Sequence, residues 1–215
     1  MGREKMTEDC IFCEIEDGNR VKDDYNRHII DTQHFFVVAG RGQICDGYMI
    51  ICARKHLFNM SLLEEEEWAE LMRLKSRIRR MVKEIYGCDP LFFEHGDADC
   101  TNRGGSCISH AHIHVVPLTL KKVPQMLRKF ALFYFDSPDE WKHFAVLHSP
   151  YFTLELSDGK IIMIHETNLP CQFGRQLLVT ELGLPVEWDW RKGLDAGRMR
   201  RTIEECVQWR ISCWQ

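Results

Sequence analysis

Three histidines alternate with aliphatic residues in one short run, at His110, His112 and His114. Ten histidines among 215 residues would produce this pattern by chance only roughly 0.02 times, so the run needs a cause. Successive side chains of a β-strand point to opposite faces, so the three imidazoles share one face. The intervening Ala111 and Ile113 then face the other side, where they can join a core. The spacing predicts a site built from titratable rings.

Two kinds of chemistry fit such a row. Three imidazoles can bind a metal ion, or one can attack an electrophile while the others position it. The alternative without chemistry is a polar strand face that simply contacts solvent. It is disfavoured, because Ser or Thr would suit such a face equally well and three histidines would not be needed. The preceding stretch at 102–107, Asn-Arg-Gly-Gly-Ser-Cys, is small and rich in donors. Backbone N–H groups of such a turn, that of Gly105 included, can surround phosphate oxygens, which favours nucleophilic chemistry.

The run at 110–116 resembles the His-φ-His-φ-His-φ-φ signature of the histidine triad proteins, which are nucleotide hydrolases and transferases. The resemblance covers about residues 8 to 120. It includes CIFCEI at 10–15, DGYMII at 46–51 followed by RKH at 54–56, and FFEHG at 92–96. Two positions depart from the pattern: Tyr48, where many members have His, and Ala53, where most have Pro. We expect neither to touch the reacting histidines.

The resemblance implies a covalent mechanism. His112 would attack the α-phosphorus of a bound nucleotide and form a nucleotidyl-histidine, which water or a second substrate then releases. A neutral imidazole is a competent nucleophile near pH 7, provided that an acceptor such as a carbonyl holds its other N–H. His114, on the same face, can donate to a phosphate oxygen in the transition state.

Further residues near the triad are candidates for contact with the nucleotide. Cys107 stands where family members often carry a Ser that contacts the leaving group, and a thiol is the weaker donor, so Ser106 is the substitute. Glu94 and His95 end a strand expected beside the triad strand. Glu94 can bind a ribose hydroxyl or assist proton transfer, with His95 as the alternative. Strand alternation lets only one of the two face the pocket.

Cys10 and Cys13 form a C-x-x-C pair, a spacing that ten cysteines produce by chance roughly 0.5 times, so the pair alone proves nothing. The resemblance implies a structural zinc here, with His56 as third ligand and His110 as fourth. A Cys₂His₂ set suits such a closed tetrahedral site and would help to orient His112. The alternative is two partly buried thiols with two hydrogen-bonding histidines, His56 then lying near the substrate.

Composition predicts a soluble intracellular protein. The net charge of −4 excludes a general basic surface for long nucleic acid. Residues 1–9 are polar and charged, and no 18-residue apolar run occurs, so neither secretion nor a membrane span is expected. Without a signal peptide, the ten cysteines are expected to be reduced thiols. These features predict a location in the cytoplasm or the nucleus.

The coarse pattern predicts an α+β fold, an antiparallel sheet with helices, in a histidine triad domain at 1–120. Strands are expected at 34–39 and 48–53, joined by the 40–42 turn, and at 91–95 and 107–116. A capping box at Ser61–Glu64 predicts the start of a helix that ends at Gly87, and its apolar stripe indicates a core face.

A C-terminal hairpin-and-helix extension is expected at 121–215. The pattern predicts a short helix at 124–135, a hairpin at 151–165 around Asp158-Gly159, and a helix starting near 168. The segments QFGR at 172–175 and WDWR at 188–191 resemble the C-terminal region of CwfJ-like proteins. Gln172 and Arg175, three residues apart on one helical face, can reach a phosphate, the alternative being a structural cap and ion pair. Trp188 and Trp190 can stack on a base, but packing on the sheet is the favoured expectation.

The combined prediction is a nucleotide hydrolase, preferred over a transferase, that cleaves a P–O or P–N bond through nucleotidyl-His112. CwfJ-like proteins usually lose a triad histidine, whereas this chain keeps all three, which favours an enzyme. One alternative is an RNA-processing or nucleotide-binding module of CwfJ type without turnover. Another is a metalloenzyme that uses all three triad histidines. The resemblance also implies a homodimer.

Overall fold

The computed structural model describes residues 10–18, 26–99, 101 and 106–212. The elements of these residues, in chain order, are α1 (Ile11–Glu16), β1 (Ile30–Asp31), β2 (Phe35–Ala39), β3 (Met49–Ala53), α2 (Glu65–Tyr86), β4 (Leu91–Gly96), β5 (His112–Val116), β6 (Phe133–Phe135), α3 (Pro138–Ala145), β7 (Tyr151–Glu155), β8 (Ile161–His165), α4 (Phe173–Glu181) and α5 (Ala196–Ser212). The α+β class expected from the sequence is confirmed.

The described strands form one eight-stranded sheet in the order β1-β2-β3-β5-β4-β7-β8-β6. Every pairing between these strands is antiparallel. The β2–β3 hairpin confirms the strands expected at 34–39 and 48–53. The triad strand lies inside the sheet, where His114 of β5 is paired with Ile50 of β3 and with Phe93 of β4. It is shorter than the predicted 107–116, because residues 106–111 are not part of the strand pairing with β3 and β4.

Helix α2 begins three residues later than its predicted capping box implies. The capping box is formed by Glu64 and Glu67, not by Ser61, which lies in a short 3₁₀ turn one turn earlier. Asn59 is the N-cap of this turn and accepts from the amide of Ser61, so Ser61 lies within the 3₁₀ turn and does not begin the helix. The predicted end is confirmed, because Gly87 adopts the left-handed conformation (φ 72°) that favours glycine after a helix.

The C-terminal residues extend the same sheet. The β7–β8 hairpin around Asp158-Gly159 is confirmed, and β7 pairs with β4, next to the triad strand. The predicted helix at 124–135 is wrong: a 3₁₀ turn at Gln125–Leu127 is followed by β6. In β6 the exposed Tyr134 stands between two half-buried phenylalanines, a period of two that suits a strand and not a helix. The boundary at 120/121 stays a prediction.

The sheet separates two apolar layers. Helices α2, α3 and α5 pack on one face, where Leu71, Trp141 and Ile203 belong to one core. Helices α1 and α4 lie on the other face. The apolar stripe of α2 is buried, as expected for a core face. None of the helices within the described ranges is both long and apolar enough to span a bilayer.

Candidate active site

The triad histidines lie where the period of two predicts. His112 and His114 point to the face covered by α1 and α4, and their ring centroids are 4.9 Å apart. Ala111, Ile113 and Val115 are buried in the core of the opposite face. The strand therefore separates a chemical face from a packing face.

His112 is held in one tautomer. Its Nδ1 lies 2.6 Å from the backbone carbonyl of His110. Because a carbonyl can only accept, Nδ1 carries the proton and Nε2 is left with its lone pair. Burial lowers the pKa of His112, which keeps the ring neutral. The imidazole thus has the form that a nucleophile needs, and the expected carbonyl partner is present.

His114 contacts a residue that the sequence analysis set aside. The hydroxyl of Tyr48 lies 2.5 Å from Nδ1 of His114, so the expectation that Tyr48 does not touch the reacting histidines is wrong. The Phe93 ring stacks on His114, with centroids 4.2 Å apart. Burial places the pKa of His114 well below its usual value. Strand alternation could have predicted this contact. Tyr48 is two residues before Ile50, which pairs with His114, so Tyr48 and His114 lie on the same face of the sheet.

Strand β4 decides between Glu94 and His95. His95 faces the triad side and borders the cleft, where its Nε2 accepts a hydrogen bond from the amide of Gly174 at 3.3 Å. Glu94 faces the opposite side, where its carboxylate accepts from the amide of Met60 at 2.7 Å and the hydroxyl of Tyr151 at 2.9 Å. The prediction that Glu94 contacts substrate is therefore wrong, because the sheet stands between it and the triad. Burial raises the pKa of Glu94 to about 8.

A cleft of about 810 Å³, counting the part open to solvent, lies over the triad. Its walls come from helix α1, the sheet, the C-terminal extension, and loop residues at 26, 41 and 106–108. The residues contributed by α1 and the extension include Phe12, Ile15, Gln172, Arg175 and Trp190. Most of this lining is apolar, which suits a base or another planar group. Sequence reasoning missed Phe12, and it gave Trp190 a place beside a base only as the less favoured alternative.

Gln172 and Arg175 border the cleft, but their polar groups bind the protein itself. Gln172 donates to Asp189 at 2.8 Å and accepts from the amide of Trp190 at 3.0 Å. The guanidinium of Arg175 donates to the carbonyls of Trp188, Arg41 and Gly42. These contacts favour the structural alternative over the phosphate role. They fasten the extension to the β2–β3 turn. Trp188 is half-buried and packs against the apolar core on this face of the sheet.

The segment before the triad strand also differs from the sequence prediction. Cys107 forms a disulfide with Cys171, so the expectation of reduced thiols is wrong for this pair. A disulfide sulfur has no S–H, and Cys107 cannot assist a leaving group in this state. Ser106 borders the cleft and donates to the carbonyl of Ile108 at 2.7 Å. Gly105 lies outside the described residues.

Four potential metal ligands converge beside the triad: Cys10, Cys13, His56 and His110, with ligand atoms all within 4.8 Å of one another. Cys10 Sγ and Cys13 Sγ lie 3.3 and 3.6 Å from Nδ1 of His110, and Cys13 Sγ lies 3.3 Å from Nδ1 of His56. This is the set that the resemblance implied. Two sulfurs and two imidazole nitrogens suit a tetrahedral zinc ion.

His110 is oriented for this role. Its Nε2 donates to the carbonyl of Ala53 at 2.7 Å, which turns Nδ1 toward the sulfurs. Burial lowers the pKa of His110 to about 4 and raises that of Cys13 to about 12. Within the described residues the converging set does not include His112 or His114. The alternative of a metal held by all three triad histidines is therefore not supported.

The chain is similar to several curated proteins. It is 27% identical over 177 residues to zinc finger CCCH domain-containing protein 64 of Arabidopsis thaliana, covering 74% of this chain and 28% of that protein. It is 21% identical to CWF19-like protein 1 of Pongo abelii, covering 93% and 37%. It is 24% identical over 86 residues to the bis(5'-adenosyl)-triphosphatase of Dictyostelium discoideum, covering 40% and 56%. The chain thus spans about a third of the first two relatives.

Among solved structures, the chain is similar to a hypothetical histidine triad nucleotide-binding protein from Sulfolobus tokodaii, with 22% identity, a TM-score of 0.41, and coverage of 57% of this chain and 77% of that one. A zinc-bound histidine triad family protein from Mycobacterium smegmatis has 20% identity and a TM-score of 0.41, with coverage of 55% and 86%.

The family model described as "protein similar to CwfJ C-terminal" matches residues 2–136. The match includes the cysteine pair and all three triad histidines, whereas the QFGR and WDWR segments that suggested the resemblance lie outside it. The matched region is more than half of the sequence. The chain belongs to the family of proteins similar to the CwfJ C-terminal region.

Proposed function

We propose that this protein is a nucleotide hydrolase that cleaves a P–O or P–N bond at the α-phosphate through a covalent nucleotidyl-His112 intermediate. The observation that carries the proposal is the hydrogen bond from Nδ1 of His112 to the carbonyl of His110. It leaves the Nε2 lone pair of a neutral imidazole at the floor of a largely apolar cleft. A nucleotide base fits such walls, and its phosphate would then lie over the triad.

The proposed reaction has two steps. The Nε2 lone pair of His112 forms a bond to the α-phosphorus while the bond to the leaving group breaks, and the leaving group departs with the electron pair and takes a proton from water. A water molecule then attacks phosphorus, the N–P bond breaks, and the water proton passes to solvent. The free mononucleotide leaves, and Nε2 recovers its lone pair.

His114 is the neighbouring group that would stabilise charge during both steps. It lies on the same face as His112, with ring centroids 4.9 Å apart, so it can reach a non-bridging phosphate oxygen. We prefer hydrolysis over transfer to a second substrate, because no binding pocket for a sugar-phosphate acceptor can be read from the sequence.

Zinc has a structural role in this proposal. Cys10, Cys13, His56 and His110 would hold the ion and tie the N-terminal helix to the triad strand. One of the similar solved structures, from Mycobacterium smegmatis, is described as a zinc-bound histidine triad family protein. Bound zinc would favour the thiolate form of the two cysteines and fix the ring of His110. We also propose a homodimer located in the cytoplasm or the nucleus.

The test is intact-protein mass spectrometry after brief incubation with dinucleoside polyphosphates and nucleoside phosphoramidates, quenched without acid. We expect a nucleotidyl adduct or free mononucleotide with the wild type and neither with His112→Ala. His143→Ala is the matched control, because His143 is exposed on α3 and lies outside the cleft. Equal release of nucleotide by wild type and His112→Ala would contradict the proposal.

A second candidate is an RNA-processing or nucleotide-binding module without turnover, which the family match at 2–136 favours. One relative is named a zinc finger CCCH domain-containing protein and another a CWF19-like protein. This candidate predicts that nucleotide or RNA binding survives His112→Ala and that the wild type releases no mononucleotide. Equilibrium binding of a fluorescent mononucleotide and of a short RNA, measured beside the mass assay, separates the two functions.

A further inference from the structure

The C-terminal extension reaches the triad through two contacts in series. The hydroxyl of Tyr48 lies 2.5 Å from Nδ1 of His114. The guanidinium of Arg175, on helix α4 of the extension, lies over the Tyr48 ring, 5.3 Å from its centroid. Arg175, Tyr48 and His114 therefore form a continuous path from the extension to the proposed phosphate site.

The donors and acceptors along this path have only one consistent arrangement. A guanidinium has N–H donors and no acceptor, so Arg175 cannot accept the proton of the Tyr48 hydroxyl. The O–H of Tyr48 is then the group left for His114. When it donates to Nδ1, that nitrogen must be unprotonated, and a neutral imidazole carries its proton on Nε2.

We propose that Tyr48 and Arg175 are positioning residues that hold His114 in its Nε2–H tautomer, so that His114 presents a donor, and not a lone pair, to the substrate phosphate. This inference rests on the proposed function for its catalytic meaning, but the tautomer itself exists without substrate. The other tautomer would present a lone pair to an anionic oxygen and repel it. Because Arg175 belongs to helix α4, this arrangement would also make the C-terminal extension part of the active site.

The surroundings of the two rings keep this arrangement in place. Tyr48 is fully buried, and burial raises its pKa, so its hydroxyl keeps its proton. Burial first, and then the charges of His112, Arg175 and His95, lower the pKa of His114, so the ring stays neutral. Phe93 stacks on His114 with an interplanar angle of 14°, which restricts rotation of the imidazole.

Arg175 is itself firmly held. Its guanidinium donates to the carbonyls of Trp188 at 2.7 Å and of Arg41 at 3.2 Å, and also to that of Gly42. The side chain is 3% exposed. A guanidinium held in this way over the Tyr48 ring restricts movement of that ring, and so of its hydroxyl, through a cation–π contact. The sequence prediction that Arg175 binds phosphate is replaced by an indirect role.

The test is the ¹⁵N spectrum of the histidine side chains, recorded at neutral pH on the substrate-free protein. We expect a pyridine-type Nδ1 and a pyrrole-type Nε2 for His114 in the wild type. Tyr48→Phe keeps the ring and removes the hydroxyl, so His114 should shift to the Nδ1–H form or a mixture. Arg175→Gln should give the same direction of change, and the double variant should add nothing further. Tyr134→Phe is the control, because Tyr134 is exposed on β6.

A pyrrole-type Nδ1 for His114 in the wild type, or an unchanged pattern in Tyr48→Phe, would overturn the inference. The kinetic counterpart is a fall in kcat of about 10- to 100-fold in Tyr48→Phe with little change in KM, because the lost donor acts on the transition state. The spectrum needs no turnover. An Nε2–H His114 in a protein without turnover therefore supports this inference and contradicts the proposed hydrolase, whereas a nucleotidyl-His112 adduct with an Nδ1–H His114 does the reverse.

Discussion

The backbone carbonyl of His110 accepts a hydrogen bond from Nδ1 of His112 at 2.6 Å, and the imidazole of the same His110 lies 3.3 Å from the sulfur of Cys10. One residue thus contacts the proposed nucleophile through its main chain and the candidate zinc site through its side chain. Any movement of His110 on metal loss would reach His112 directly.

Cys13→Ser is expected to remove one zinc ligand and so to reduce bound zinc from one ion per chain to a small fraction. The loss should also lower the melting temperature, because α1 would lose its attachment to the triad strand. Elemental analysis of the purified protein, with thermal unfolding, measures both effects. Cys88→Ser is the control, because Cys88 is half-buried and lies outside the ligand cluster. Equal zinc in Cys13→Ser and wild type would exclude the site.

The contribution of Glu94 to the stability of the fold is expected to fall as pH rises. Burial raises the pKa of this carboxyl from its usual 4.5 to about 8. Between these values the folded protein keeps a proton that the unfolded chain has lost. The contribution is fully present below pH 4.5 and disappears as pH passes 8, and its size is on the order of several kcal/mol.

Urea unfolding across this pH range tests the prediction. Glu94→Gln keeps a neutral side chain that can accept from Met60 and removes this titration. The free energy of unfolding of the wild type should therefore decline relative to that of the variant as pH rises from 5 to 8. Glu66→Gln, at an exposed position of α2, should leave the wild-type slope intact. Parallel pH profiles of the wild type and Glu94→Gln between pH 5 and pH 8 would be inconsistent with a protonated Glu94.

Cys171→Ser is expected to destabilise the protein by about 4 kcal/mol, because the Cys107–Cys171 bond closes a long loop of the unfolded chain. Chemical unfolding under non-reducing conditions measures the change. Adding a thiol reductant should bring the wild type to the stability of the variant, while Cys171→Ser itself should not respond. Alkylation of both cysteines in the unreduced, denatured wild type would show that the bond is absent.

Gly174→Ala is expected to destabilise the fold by about 1–3 kcal/mol, because an added Cβ would lie 2.5 Å from the ring of Phe93. Phe93 stacks on His114, so the side-chain ¹⁵N signals of His114 should move as well. Gly197→Ala in α5 is the matched control, since its added Cβ would meet no atom closer than 3.5 Å. A Gly174→Ala protein with unchanged unfolding and spectrum would argue against this close packing.

Much of the fold was readable from local patterns. The period of two placed the triad imidazoles on one face, the turn at Asp158-Gly159 located the β7–β8 hairpin, and Gly87 marked the end of α2. Each of these depends on residues close together in the chain, so the physics that decides them is local. The four candidate zinc ligands were predicted as a set through the resemblance, and the structure brings them together.

The remaining features were decided by contacts between residues far apart in the sequence. Alternation allowed either Glu94 or His95 to face the cleft, and only the position of the sheet between α2 and α4 assigned His95 to it. The role of Tyr48 depends on its distance to His114, and that of Arg175 on three backbone carbonyls from two separate loops. The sequence by itself determined which groups can react and which strand face carries them. The tertiary structure decided which tautomer each ring adopts and which neighbours hold it, because hydrogen-bond partners follow from three-dimensional packing and not from spacing along the chain.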